Sequence, residues 1–116
     1  MFETTTQCTS SCPVTEAASV LDGKWTTLIF RELLGGTRRY SELQRSVAGI
    51  SPRMLAMRLG DLEARGLIKK TTYPTVPPKT EYCLTTAGTA IEPVIVAMAA
   101  FGAQLQKWSV NPAHQE

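Results

Sequence analysis

The chain has 116 residues, enough for one domain with one modest core, and at 43% hydrophobic and 19% charged it has an ordinary globular composition. No run approaches the roughly 18 apolar residues of a membrane span, and no basic-then-apolar leader opens the chain, so a cytoplasmic protein without membrane contact is expected. The formal net charge is only +2, but residues 24–79 hold eleven Lys and Arg against four acids, +7, while the remainder holds one Lys against six acids, −5. That segregation points to a polyanion-binding middle, with a solvated basic surface as the plainer alternative.

Residues 1–11 are polar and rich in Thr and Ser, the composition of a mobile tail. Pro13 can open a helix to about Leu21, with Gly23 ending it. Trp25, Leu28, Ile29 and Leu33 follow helical spacing, and Gly35-Gly36 stops that second helix. Arg38-Arg39-Tyr40 reads as a short extended link. Ser41 with Gln44 three residues later fits a capping box and starts a short helix to about Val47.

After the turn Ala48-Gly49-Ile50, Ser51 can cap and Pro52 can open a helix to Arg65, with Gly66 as its left-handed C-terminal cap. At 100° per residue, Leu55, Leu59 and Leu62 cluster on one side, and Arg53, Ala56, Met57, Gly60 and Ala64 lie opposite. Residues 41–65 therefore read as helix, short turn, helix.

Leu67–Tyr73 and Thr80–Leu84 read as two strands of a hairpin, with a stiff tip built on Pro74, Pro77 and Pro78. Thr85 or Thr86 can cap a final long helix to about Trp108, bent by Pro93 near Thr89–Ala90. Ile91, Val94, Ile95, Met98, Phe101, Leu105 and Trp108 form an apolar stripe along it. The core is assigned to Leu28, Leu43, Leu55, Leu59, Leu62 and Leu67, with Trp25 beside them. This leaves the stripe needing another surface to cover, and self-association through the first and last helices is the expected one. The domain is thus expected at 12–108, with a C-terminal tail at 109–116. The fold class is mainly α with a small antiparallel β-hairpin, a winged helix-turn-helix with a long dimerisation helix.

The chain resembles the HxlR family of bacterial winged helix-turn-helix regulators. The resemblance rests on Cys12-Pro13-Val14, Gly23-Lys24-Trp25-Thr26, Arg31–Gly36, Arg39–Leu43, Gly49–Leu55, Arg58-Leu59, Gly66-Leu67-Ile68, Tyr73-Pro74, Val76–Lys79, Glu81-Tyr82 and Leu84-Thr85. It covers about residues 12–102 in order. The resemblance implies a homodimeric cytosolic transcription factor, often a repressor, and in several relatives a cysteine before the first helix, where Cys12 stands, senses electrophiles or oxidants. The chain departs from the family where Ala56, Met57 and Gly60 replace polar side chains on the outer helix face, so base readout is expected from Arg53 and from apolar contacts to thymine methyls.

Arg53, at the helix start, suits the O6 and N7 of guanine. Arg38, Arg39 and Lys79 are expected phosphate contacts, and Ser41, Ser51 and Pro52 flank them as caps first and phosphate neighbours second. Arg58 lies toward the core side and either pairs with Glu42 or Glu63 or holds a phosphate. The partner is then a pseudo-palindromic duplex with half-sites about 34 Å apart, or a multiple.

Three cysteines do not suggest a disulfide framework, and with one histidine, His114, they make no convincing zinc site. Neither a metal nor a cofactor is expected, and no enzymatic triad, phosphate loop or carboxylate pair stands out. Cys12 can be a reactive, partly exposed thiolate at a helix start, with Cys8 as a resolving thiol, or both can be inert. Cys83 reads as a buried small hydrophobe. The rival functions are thiol exchange through Cys8 and Cys12, whose Cys-x-x-x-Cys spacing is not that of thioredoxin-like enzymes, and a winged-helix adaptor for protein contacts.

Overall fold

Local signals set most helix ends. The computed structural model describes residues 12–110. The expected tail 1–11 with Cys8, and residues 111–116 of the expected C-terminal tail, lie outside them. Pro13 opens α1 (Pro13–Val20), where its missing N–H costs nothing. Gly23, at φ +78°, is the first residue of α2 (Gly23–Leu34). It therefore starts the second helix in addition to separating it from the first. Thr26, Ile29, Phe30 and Leu33 are buried at i, i+3, i+4 and i+7. This stripe is turned from the expected one. Phe30 is fully buried, and Trp25 and Leu28 pack at the edge.

Arg38–Arg39 is a strand, β1, rather than a link. Two residues are too few to show an alternation; their pairing with a distant strand defines them. The next helix, α3 (Tyr40–Ser46), begins two residues earlier than a cap at Ser41 predicts. Arg39 is its N-cap residue, and the Glu42 carboxylate accepts from the Arg39 N–H at 2.8 Å. The expected Ser41–Gln44 box is thus displaced by one that starts at Arg39. Gln44 instead donates from Nε2 to the Ile50 carbonyl at 2.6 Å and braces the turn.

Helix α4 (Pro52–Ala64) has the expected ends. Ser51 Oγ accepts from the Met54 N–H at 3.1 Å. At the other end Leu67 N–H donates to Leu62 O and Gly66 N–H to Glu63 O, the paired bonds of a Schellman motif, with Gly66 at φ +77°.

Strands β2 (Ile68–Tyr73) and β3 (Lys79–Leu84) pair antiparallel from Ile68–Leu84 to Tyr73–Lys79. Strand β1 pairs with β3 through Arg38–Tyr82 and Arg39–Glu81, giving sheet order β1-β3-β2. On β3, Tyr82 faces the core, so Cys83 is half-buried rather than buried.

Thr85 ties the sheet to the last helix. Its hydroxyl donates to Gly66 O at 2.7 Å and accepts from the Gly88 N–H at 3.0 Å. A 3-10 turn (Gly88–Ile91) follows, and only then α5 (Glu92–Val110). The expected kink is therefore a 3-10-to-α junction. Pro93 lacks an N–H and so falls in the first α turn, where no intrahelical donor is needed. The 21-residue span Gly88–Trp108 contains an 18-residue window with a mean hydropathy of 1.4, long and apolar enough to cross a membrane by length and composition alone. Glu92, Gln104, Gln106 and Lys107 interrupt the span, so it is no unbroken run of apolar residues.

The core joins Ile29, Phe30 and Leu33 to Leu43, Val47 and Ile50, to Leu55, Leu59 and Leu62, and to Ile68 and Tyr82. Of the expected core, Leu28 and Leu67 are only partly buried.

Candidate nucleic-acid interface

Burial of Leu55, Leu59 and Leu62 at 0–1% exposure fixes the rotation of α4. The opposite face is left to solvent: Pro52, Arg53, Ala56, Met57, Gly60 and Ala64 are all exposed. Arg53 is the second residue of the helix, the end from which a recognition helix reaches base edges. Tyr40 locks this end in place, because its hydroxyl donates to the Pro52 carbonyl at 2.9 Å. Sequence reasoning missed Tyr40; the tie spans twelve residues and has no local signal.

A second face adjoins the first. The start of α3 and the wing enclose an open cleft of about 590 Å³, lined by Arg39, Tyr40 and Ser41 on one side and Thr75–Thr80 on the other. Arg39 and Lys79 bring positive charge to it, and no carboxylate belongs to its lining. Lys79 sits 5.1 Å from the centroid of the Tyr73 ring, a cation–π contact that holds the ammonium at the wing base. The Tyr73 hydroxyl donates to Glu81 Oε1 at 3.2 Å, and the Glu81 carboxylate raises the Tyr73 pKa above its usual value.

Not all the candidate residues come together. Arg38 is half-buried, with its guanidinium folded over Gly35 and donating to the Thr37 carbonyl at 3.3 Å, at the C-terminal end of α2 where a cation suits the helix dipole. Arg58 points away from the outer face toward Gly23, with Nη2 3.5 Å from where a Cβ there would lie. Its Nε is buried without a hydrogen-bond partner, and among the described residues neither candidate pairing, with Glu42 or Glu63, is formed.

Cys12 is the N-cap residue of α1, as expected, but it is 3% exposed and its side chain makes no capping hydrogen bond. This corrects the reading of Cys12 as a partly exposed thiolate, since its side chain is buried. Cys8 lies outside the described residues. Ile91, at the end of the 3-10 turn, and Ile95 on α5 pack against the core, whereas Val94, Met98, Phe101, Leu105 and Trp108 are 38–65% exposed. Among the described residues no cluster of three or more His, Cys, Asp or Glu could hold a metal ion.

Comparison with known proteins finds transcriptional regulators of the same fold. An HTH-type transcriptional regulator of Synechocystis sp. is 42% identical over 91 residues, 78% of this chain and 67% of that one. A transcriptional regulator from Porphyromonas gingivalis W83, described as of the MarR family, superposes with a TM-score of 0.79 at 43% identity, covering 82% of this chain and 93% of that one. The redox regulator HypR is similar in its oxidised form (TM-score 0.75, 38% identity, 80% and 96% covered) and in its reduced form (0.77, 36%, 81% and 93%). The HxlR-like helix-turn-helix family matches residues 20–109, and the chain belongs to that family of transcriptional regulators.

Proposed function

We propose that the chain is a cytoplasmic, homodimeric repressor that places α4 in the major groove of a pseudo-palindromic operator. The observation that carries this is the outer face of α4, with Arg53 held at its exposed N-terminal end and no bulky polar residue behind it. Arg53 takes guanine O6 and N7, and Ala56 and Met57 take thymine methyls. Ser51, Pro52, Ser41 and Arg39 lie along one phosphate strand, and Lys79 meets a phosphate from the wing. Arg38 and Arg58 serve the same backbone from further back, through longer-range attraction.

Competition binding on a specific and a scrambled duplex tests this. Arg53→Ala is expected to cost about 1–3 kcal/mol on the specific duplex and to relax preference at one base pair. Lys79→Ala is expected to weaken both duplexes alike and to lower the salt slope by roughly one. Parent-like binding by both variants would refute this placement.

A second reading, control by an electrophile or oxidant through Cys12, is favoured by the likeness to HypR, known in oxidised and reduced forms. Because Cys12 is buried, the reagent reaches it only through a local opening that uncovers the thiol. Cys8 then acts as the resolving thiol. Operator affinity with and without a mild electrophile is compared for the parent, Cys12→Ser, Cys8→Ser and Cys83→Ser. Complete loss of response in Cys12→Ser alone is the expected result, and a response that survives there removes this reading.

A further inference from the structure

We propose that Met57 is an oxidation site that controls DNA reading: a hydroperoxide converts its thioether to a sulfoxide, and the new oxygen captures the guanidinium of Arg53 one helical turn away. The proposal rests on the operator-binding reading above and adds to it a signal that needs no cysteine. Met57 is 55% exposed, the most open methionine among the described residues.

A single exposed apolar side chain is ordinary on a protein surface. Met57 is distinguished by its neighbours. On a helix, residues three and four positions away share a face. Toward the C-terminus these are Gly60, where an added Cβ would meet nothing within 4 Å, and Asp61, which pairs with Arg65 at 3.5 Å. Toward the N-terminus they are Met54, packed at the edge of the core, and Arg53, which is exposed and among the described residues forms no ion pair. Helical side chains lean toward the N-terminus, which directs the Met57 thioether back over the turn that carries Arg53. Ala56 and Gly60 beside it have no bulk to shield the sulfur.

The sulfur lone pair attacks the terminal oxygen of the hydroperoxide and the O–O bond breaks. The proton on the transferred oxygen passes to the leaving alkoxide, so the products are a sulfoxide and an alcohol. Sulfur is oxidised by two electrons and the peroxide is reduced by two. A thioether is a weak acceptor, whereas the sulfoxide oxygen is polar and accepts well. Arginine has five donors and no acceptor, and a bond from its cation is of the stronger, charge-assisted kind. Arg53 held in this way no longer reaches guanine O6 and N7. A bound duplex covers the sulfur, so oxidation acts on the free protein and keeps it off the operator. Methionine sulfoxide reductases reverse the step, which makes the site a switch.

The test treats the full chain with tert-butyl hydroperoxide and then with dithiothreitol, which reduces disulfides and sulfenic acids and leaves sulfoxides in place. Peptide mass spectrometry is expected to find the added oxygen on Met57 ahead of Met54 and Met98, and a bound duplex, selected from a random pool by the chain, to prevent it. Affinity of the oxidised parent for that duplex is expected to fall about tenfold, with the preference at the guanine read by Arg53 lost. Methionine sulfoxide reductases with dithiothreitol are expected to restore both. Each variant is compared with itself before and after oxidation. Met57→Leu is expected to show no loss and Met98→Leu the parent's full loss. Arg53→Ala is expected to lose less than about twofold, because no guanidinium remains to be captured. A loss that persists in Met57→Leu or disappears in Met98→Leu overturns the proposal. So does an equal loss in Arg53→Ala and the parent, or an oxidised parent that binds as before. Parent-like binding by untreated Arg53→Ala is failure of the operator reading itself. An oxidation-insensitive parent beside a weakened Arg53→Ala is failure of this proposal alone.

Discussion

Gly60 offers a sharp separation of stability from binding. It lies seven residues beyond Arg53 on the exposed face of α4, about 10 Å along the helix. A Cβ built there meets nothing within 4 Å. Glycine in a helix interior costs about 0.8–1.0 kcal/mol relative to alanine, so Gly60→Ala is expected to stabilise the free protein by nearly that amount. At a urea slope of about 2 kcal/mol/M, the midpoint rises by roughly 0.4 M. The same methyl stands on the side proposed to face DNA. If the duplex approaches the helix backbone closely, the methyl forces it back at a cost of about 1–3 kcal/mol, as in overpacked cores. Operator affinity then falls about five- to 150-fold while stability increases. Urea unfolding at fixed protein concentration and competition binding measure the two effects. Unchanged affinity with increased stability would refute the close approach, and reduced stability would refute the open space.

Three further substitutions probe how the interface is held. Gly88→Ala places a Cβ on the Leu67 carbonyl oxygen and against Leu84, and a backbone neighbour cannot turn aside, so a loss of more than about 3 kcal/mol is expected by urea unfolding. Ser51→Ala removes the acceptor for the Met54 N–H and is expected to cost about 1 kcal/mol, most of it restored by Ser51→Asp. Tyr40→Phe deletes the hydrogen bond to Pro52 and is expected to cost about 0.5–1.5 kcal/mol of stability; a larger effect on operator affinity than on stability would show that it orients Arg53.

Signals carried within a few residues were legible in the sequence. Ser51, Pro52 and Gly66 mark both ends of α4, and the Leu55, Leu59 and Leu62 spacing sets its outer face. What depends on distant partners was not. β1 exists because Arg38 and Arg39 meet Tyr82 and Glu81, more than forty residues away. The α3 cap moved from Ser41 to Arg39 because that pairing aligns Arg39 to donate to Glu42. Phe30 replaced Leu28 in the core because only one rotation of α2 faces both α4 and the sheet. Cys12 and Cys83 exchanged environments: the first is buried, and the second, half-buried, shares its strand with Tyr82, which takes the inward side. The cleft at the wing was hidden for the same reason, since its walls lie some 35 residues apart in the chain.

The last helix is where the isolated chain is least complete. Only about 6% of its apolar window is buried, and α1 contributes no buried residue. Between them lies an apolar recess of about 190 Å³, lined by Ala17, Val20 and Leu21 on one side and Ala90, Ile91 and Val94 on the other, with Phe30 at its back. A second copy would cover this recess and the stripe together, whereas a bilayer would cover α5 and leave the adjoining basic domain against lipid. The two ends of this segment then have different duties. Ile91 in the 3-10 turn and Ile95 early in α5 hold it to the core, and Phe101, Leu105 and Trp108 project beyond it. A chain ending at Met98 is therefore expected to fold, to scatter light as a monomer at micromolar concentration, and to bind a half-site without the gain from two linked sites. Phe101→Glu in the full chain is expected to do the same, because Phe101 is 65% exposed and its loss uncovers no core. Ending the chain at Ala90 removes both anchors and opens the recess onto Phe30, so that product is expected to aggregate. A dimer that survives both Phe101→Glu and removal of residues after Met98 would place the seam elsewhere, and a fully stable chain ending at Ala90 would show that α5 has no part in the core.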